Sequence, residues 1–189
     1  QFDASYLADI LSRFQEKTDA GALAAPYFHN LTEDTEINKA ILNYEIFMRF
    51  YLLNLLRIDS PFAFTAIGSA LAVINSGYRS AGGVPPKKSG EDFYLLQKIA
   101  KRGKVLQWIP SKVYPAARVS NRVDFGTGPT LAEGVAGKEP RYSIIHPDHF
   151  DIVRELYNMF PLLYKKDIPT PADDFFMSQS GNHNIWQSL

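Results

Sequence analysis

The 189-residue chain has no cysteine, and that absence removes disulfides, thiolate metal ligands and cysteine nucleophiles together. It suits a reducing compartment, so a cytoplasmic protein is expected, with the inner face of a membrane as the alternative place. Charge of one sign is also missing. Twenty Lys and Arg are balanced by twenty Asp and Glu, which leaves no electrostatic footprint for nucleic acid or an anionic membrane. A neutral small molecule or a sugar is the partner that such a surface suits. The N-terminus has no basic region leading into an apolar one, and Gln1-Phe2-Asp3 has no initiator methionine, so the chain is expected to begin inside a longer protein. No internal repeat is present. The longest apolar stretch, Glu36 to Ile58, is interrupted by Glu45 and Arg49. Each of these charges would cost about 2.5–3.5 kcal/mol near the centre of a bilayer, which rules out a membrane span.

What is present is apolar and aromatic bulk. With 46% apolar and 13% aromatic residues, the chain can bury one substantial core. Residues 3 to 17 place Tyr6, Leu7, Ile10, Leu11 and Phe14 at helical spacing, with Asp3 or Ser5 as a cap. Leu23 to Phe28 reads as a short buried strand. Glu36 to Ile58 reads as a long, mostly buried helix whose aromatic residues also suit an oligomer contact or a membrane surface, so a homo-oligomer and peripheral membrane contact stay open. Phe62 to Val73 reads as a strand with Gly68, Ser69 and Ala70 at its middle, where small residues admit another backbone or a ligand. Asn75 to Ala81 is a short helix closing in Gly82-Gly83, and a strand at Lys104 to Ile109 follows the next helix. Lys112 to Arg118 is a further extended piece, and Leu131 to Arg141 reads as a mobile loop. Asp148 to Tyr164 is a helix with Phe150, Val153, Leu156, Tyr157 and Phe160 inward. Pro171 to Leu189, with Phe175, Phe176 and Trp186, is expected to be partly helical. Strand and helix alternate over about four strands, which predicts a layered α/β domain with a partial sheet, flanking helices and a helical C-terminal extension.

The chemistry gathers at Gly90-Glu91-Asp92-Phe93-Tyr94-Leu95-Leu96-Gln97-Lys98-Ile99. Two carboxylates open an amphipathic helix whose apolar side is Phe93, Leu95, Leu96 and Ile99. The free N–H groups and the dipole of a first turn keep such acids ionised, so they can serve as bases, although capping alone also explains them. Arg118 and Arg122 enter the glycine-rich run Asp124 to Gly128. Two guanidinium groups with glycine N–H groups make a reasonable phosphate cradle; pairing of both arginines with surface acids is the plainer reading. His146-Pro-Asp-His149 has a metal-like composition, but spacing offers no third ligand and helix capping by Asp148 accounts for it, so no metal site is expected in this chain.

The order Ile67-Gly-Ser-Ala-Leu-Ala-Val73, Tyr78 with Gly82-Gly83, Gly90-Glu-Asp-Phe-Tyr-Leu-Leu96, and Arg118-Val-Ser-Asn-Arg122 with Phe125-Gly-Thr-Gly128 resembles the second half of bacterial family 2 glycosyltransferases of the GT-A fold. The resemblance covers roughly residues 1 to 130 as an acceptor-side half-domain, and 131 to 189 lie beyond it. It implies inverting sugar transfer from a nucleotide-sugar to a carbohydrate or lipid-linked acceptor, with Asp92 as the general base and Glu91 in support. It also places Gly82 and Gly83 by the acceptor, and Arg118, Arg122, Gly126, Thr127 and Gly128 at the acceptor or diphosphate. Processive members carry Gln-x-x-Arg-Trp at the arginine loop; this sequence has neither that Gln nor that Trp, so processive synthesis is not expected. Family members hold the donor and a divalent metal, Mg or Mn, with an Asp-x-Asp in a first half, and Phe2 to Leu7 resembles the segment just after that motif. The expectation is therefore a donor half outside this chain, and a chain inactive alone. The rival is a non-catalytic carbohydrate- or protein-binding module on the same sheet.

Overall fold

A computed structural model describes residues 1–120, 126–138, 142 and 144–165. The first helix, α1 (Tyr6–Glu16), buries Tyr6 and Ile10, while Leu7 and Leu11 of the expected apolar face stay exposed. Ser5 stands at its N-cap without a side-chain cap bond; the Asp3 carbonyl accepts the Tyr6 N–H at 3.0 Å, and the Asp3 carboxylate accepts the Lys112 N–H at 2.8 Å. Three strands follow among the described residues, β1 (Ala20–Ala24), β2 (Leu71–Val73) and β3 (Lys104–Leu106), in the order β2-β1-β3. β1 is antiparallel to β2 and parallel to β3. The chain is thus a mixed α/β protein with a small three-stranded mixed sheet and flanking helices.

Each strand is shorter than its sequence suggests, and β1 begins earlier than the expected Leu23. Its residues, Ala-Gly-Ala-Leu-Ala, carry little β propensity and form a strand because all five are buried at the centre of the sheet. Pro26 lacks an N–H for the ladder, and β1 has already ended at Ala24. The expected strand from Phe62 contracts to its last three residues because Ile67 to Ala70 form a turn, closed by the Ala70 N–H on the Ile67 carbonyl at 2.7 Å. Beyond β3, the extended piece pairs through isolated bridges, Val113 to Phe2 and Tyr27 and Ala116 to Asn30.

The helices lie near the expected spans: α2 (Thr35–Arg57), α3 (Asn75–Ser80), α4 (Glu91–Ala100) and α6 (Pro147–Lys165). The loop expected from Leu131 is corrected to a helix, α5 (Thr127–Val135). Gly128, Pro129 and Gly134 disguise it. Pro129 falls in the first turn, where a missing N–H costs nothing, and Gly134 lets α5 lie on α2: a Cβ there would stand 2.5 Å from the Ala40 Cβ. Leu131 is fully buried beside Ala40, Ile41, Tyr44 and Ala117.

α4 covers the sheet with Leu95, Leu96 and Ile99, while Phe93 is exposed and touches Phe64 at a ring distance of 6.1 Å. α3 reaches the sheet backbone to backbone. A Cβ on Gly77 would collide with the Gly21 carbonyl, and one on Gly21 would stand 2.6 Å from Ile99 Cγ2. Gly21 is also where the register against β3 shifts.

Two compact units result, one of residues 1–53 with 61–144, the other of 54–60 with the chain from 145 onward. In the second, Arg57 holds Asp151 at 2.8 Å and the Pro147 carbonyl at 2.9 Å. Among the described residues no helix is long and apolar enough to cross a membrane.

Candidate functional site

Asp92, the second residue of α4, has its Oδ1 on the Phe93 N–H at 2.7 Å. The Gly68 N–H donates to the same carboxylate, and a Cβ on Gly68 would stand 3.4 Å from Asp92 Oδ2. The small residues before β2 do admit a close neighbour, and that neighbour is Asp92 itself. Burial raises the Asp92 carboxyl above the usual aspartate range and the Glu91 charge adds to this, while the Phe93 and Gly68 N–H groups only partly offset both. The helix start was expected to keep this acid readily ionised; burial outweighs that pull. Glu91, one residue earlier, is half-buried.

Asp92 is also felt by Tyr44 of α2. The Tyr44 phenol is pushed far above its ordinary value, first by burial, then by Tyr27 and Tyr142, with the Asp92 charge adding to the effect. Its hydroxyl shares a hydrogen bond with the Thr127 side chain. Asp92, Tyr44 and Thr127 thus form one neighbourhood drawn from α4, α2 and α5.

Thr127 opens α5 after Gly126, whose φ of 102° and ψ of −165° only glycine adopts readily. Gly128 lies on Ser120, where a Cβ would stand 2.7 Å from both the Ser120 carbonyl and its Cβ. This helix start offers the N–H groups of Thr127 and Gly128, but Pro129 has none, so it is a thinner anion cradle than the glycine-rich sequence suggests. Arg118 is exposed, with no hydrogen bond or ion pair to another described residue. Arg122 lies outside the described residues, as do Phe175, Phe176 and Trp186.

Gly82 and Gly83 cap α3. Their φ values are 73° and 77°, and their N–H groups donate to the carbonyls of Arg79 at 3.1 Å and Tyr78 at 3.0 Å. Tyr78 is the side chain nearest to Gly83. Helix termination accounts for the conformation of this pair.

A separate buried group pins the chain after β1. Glu45 Oε1 accepts the His29 N–H at 2.7 Å and lies 2.8 Å from His29 Nδ1, while Oε2 accepts from Arg49 at 2.6 Å. Arg49 also donates to the Tyr27 carbonyl at 2.8 Å and lies 4.8 Å over the Phe28 ring. Burial pushes Glu45 up, but hydrogen bonds from His29 and Arg49 together hold it below the ordinary glutamate value. Burial likewise pushes the Tyr27 phenol up to about 12, against the nearby Arg49 charge.

The residues do not fit the divalent metal that the resemblance implies for a complete enzyme. No Asp-x-Asp occurs in the sequence, and among the described residues no three His, Cys, Asp or Glu stand together as a ligand set. His146 and His149 cap α6 locally, with the Asp148 N–H on His146 Nδ1 at 3.4 Å.

Sequence reasoning passed over Tyr44 and Thr130. Tyr44 reads as one more residue on the apolar face of α2, and only its hydroxyl, which needs a partner when buried, signals a polar neighbourhood. The chain matches no protein-family model, no curated protein and no solved structure.

Proposed function

We propose that this chain is the acceptor-side part of an inverting glycosyltransferase, of family 2 and the GT-A fold, in which Asp92 is the general base. The observation that carries the reading is the Asp92 carboxyl, raised by burial at the mouth of α4 and set among the Gly68 N–H, Tyr44 and Thr127. A carboxylate whose pKa is raised by burial takes up a proton more readily, as a base for a sugar hydroxyl requires. The acceptor hydroxyl donates its hydrogen bond to Asp92. As its oxygen bonds to the anomeric carbon, the proton passes to Asp92, the bond to the nucleotide diphosphate breaks, and the electron pair leaves with that diphosphate. Glu91 supports the base by its adjacent charge, and Arg118 with the start of α5 is suited to the diphosphate or to the acceptor. The donor site, with its metal, belongs to residues other than these 189, and the reaction takes place in the cytoplasm or at the inner membrane face.

In the complete enzyme, Asp92→Asn should lower transfer at least about a thousandfold while donor binding is retained. Ordinary turnover by that variant would refute the assignment. A non-catalytic carbohydrate-binding module is the second reading, favoured by a cleft of about 480 Å³ that Tyr44 helps to line.

A further inference from the structure

The cleft beside Tyr44 lies between α2 and α5, with Tyr142 in its lining. Its volume, about 480 Å³, accommodates one or two pyranose rings but not an extended polymer. One wall is aromatic. Tyr142 stacks on Phe47 at a ring distance of 4.6 Å and meets Tyr44 at 5.6 Å. The Tyr142 hydroxyl is anchored on the Thr130 hydroxyl, which in turn donates to the Gly126 carbonyl at 2.8 Å. The wall is therefore fixed to the same turn that delivers Thr127 to Tyr44.

The rest of the lining decides what such a wall would hold. Lys39 and Lys138 are matched in the lining by Glu36 and Glu133, and the Asn43 amide lies on the same side of α2 as Phe47. A phosphate or a carboxylate would meet as much repulsion as attraction there, and a purely apolar ligand would offer nothing to the Asn43 amide. A neutral polyhydroxylated ring satisfies both kinds of surface. Its C–H face covers the aromatic wall, and its hydroxyls, each donor and acceptor, reach ammonium, carboxylate and amide in turn.

We propose that this cleft is a binding site for an uncharged sugar ring, the unit of the acceptor next to the one whose hydroxyl reaches Asp92. That the ring belongs to an acceptor rests on Asp92 being the base; that the cleft holds a sugar does not.

The test is saturation-transfer NMR on the full chain with cellobiose, N-acetyllactosamine and mannobiose at millimolar concentration, with inorganic phosphate titrated separately as the charged control. Saturation should reach the ring C–H protons of at least one disaccharide, and phosphate should not compete. Asn43→Leu, at an exposed position, and Phe47→Ala should each weaken that binding about tenfold, the loss of one contact. No transfer to any of the three sugars, or transfer unchanged in a folded Asn43→Leu variant, overturns the inference, as does displacement of the sugar by phosphate. The two readings fail separately. Asn43-dependent sugar binding alongside full transfer by Asp92→Asn removes the base and keeps the cleft; loss of transfer without sugar binding removes the cleft and keeps the base.

Discussion

At Asp92, the proposed role as a base and stability pull in opposite directions. Because its folded pKa is raised, the contribution of this group to stability is fully present below the unfolded aspartate value, about 3.9, and is lost as pH rises through the folded value. Asp92→Asn should therefore melt at a higher temperature than the parent chain at pH 7, with the gap closing toward pH 3.5; an equal or lower melting temperature at pH 7 would contradict the burial argument. In the complete enzyme the acid limb of the transfer rate should fall at a pH above that of an ordinary aspartate, read from a pH–rate profile. Glu45 has the opposite sign. Its depressed pKa contributes stability above the unfolded glutamate value, about 4.3, and that contribution is lost as pH falls through the folded value. Glu45→Ala leaves His29 and Arg49 without their acceptor and should cost about 3 kcal/mol in urea unfolding at pH 7. The Glu91-Asp92 step was legible because acids after a glycine turn mark a helix start. The raised carboxyl was not, since its largest cause is burial, which only folding produces.

Among the elements, most helices were legible in their spans, whereas the strands were legible in place and not in length. α2 and α4 show a 3.6-residue pattern that survives folding, whereas β1 is Ala-Gly-Ala-Leu-Ala and carries its signal in burial rather than in residue type. α5 escaped because Gly128 and Gly134, both needed for close packing, look like loop residues until Ser120 and Ala40 lie against them. The contact of α3 with β1 depends on the same device. Gly77→Ala should cost about 2 kcal/mol or more, measured by chemical denaturation, because its Cβ has only backbone to push against. Thr127→Val, which keeps the shape and removes the hydroxyl, should cost about 1–2 kcal/mol by taking a partner from the buried Tyr44 phenol.

The whole molecule keeps its helices and small mixed sheet in one unit and a shorter helical assembly in another, and α2 contributes residues to both. With no Asp-x-Asp anywhere in its sequence, the chain alone should turn over no nucleotide-sugar in a coupled assay of nucleotide diphosphate release. Measurable release would mean that it carries a donor site of another kind. The division of α2 also has a consequence in time. Arg57 and its partner Asp151 are separated by 94 residues. On a ribosome adding about 5–20 residues per second, the last turn of α2 therefore waits about 5–20 s for the helix it pairs with.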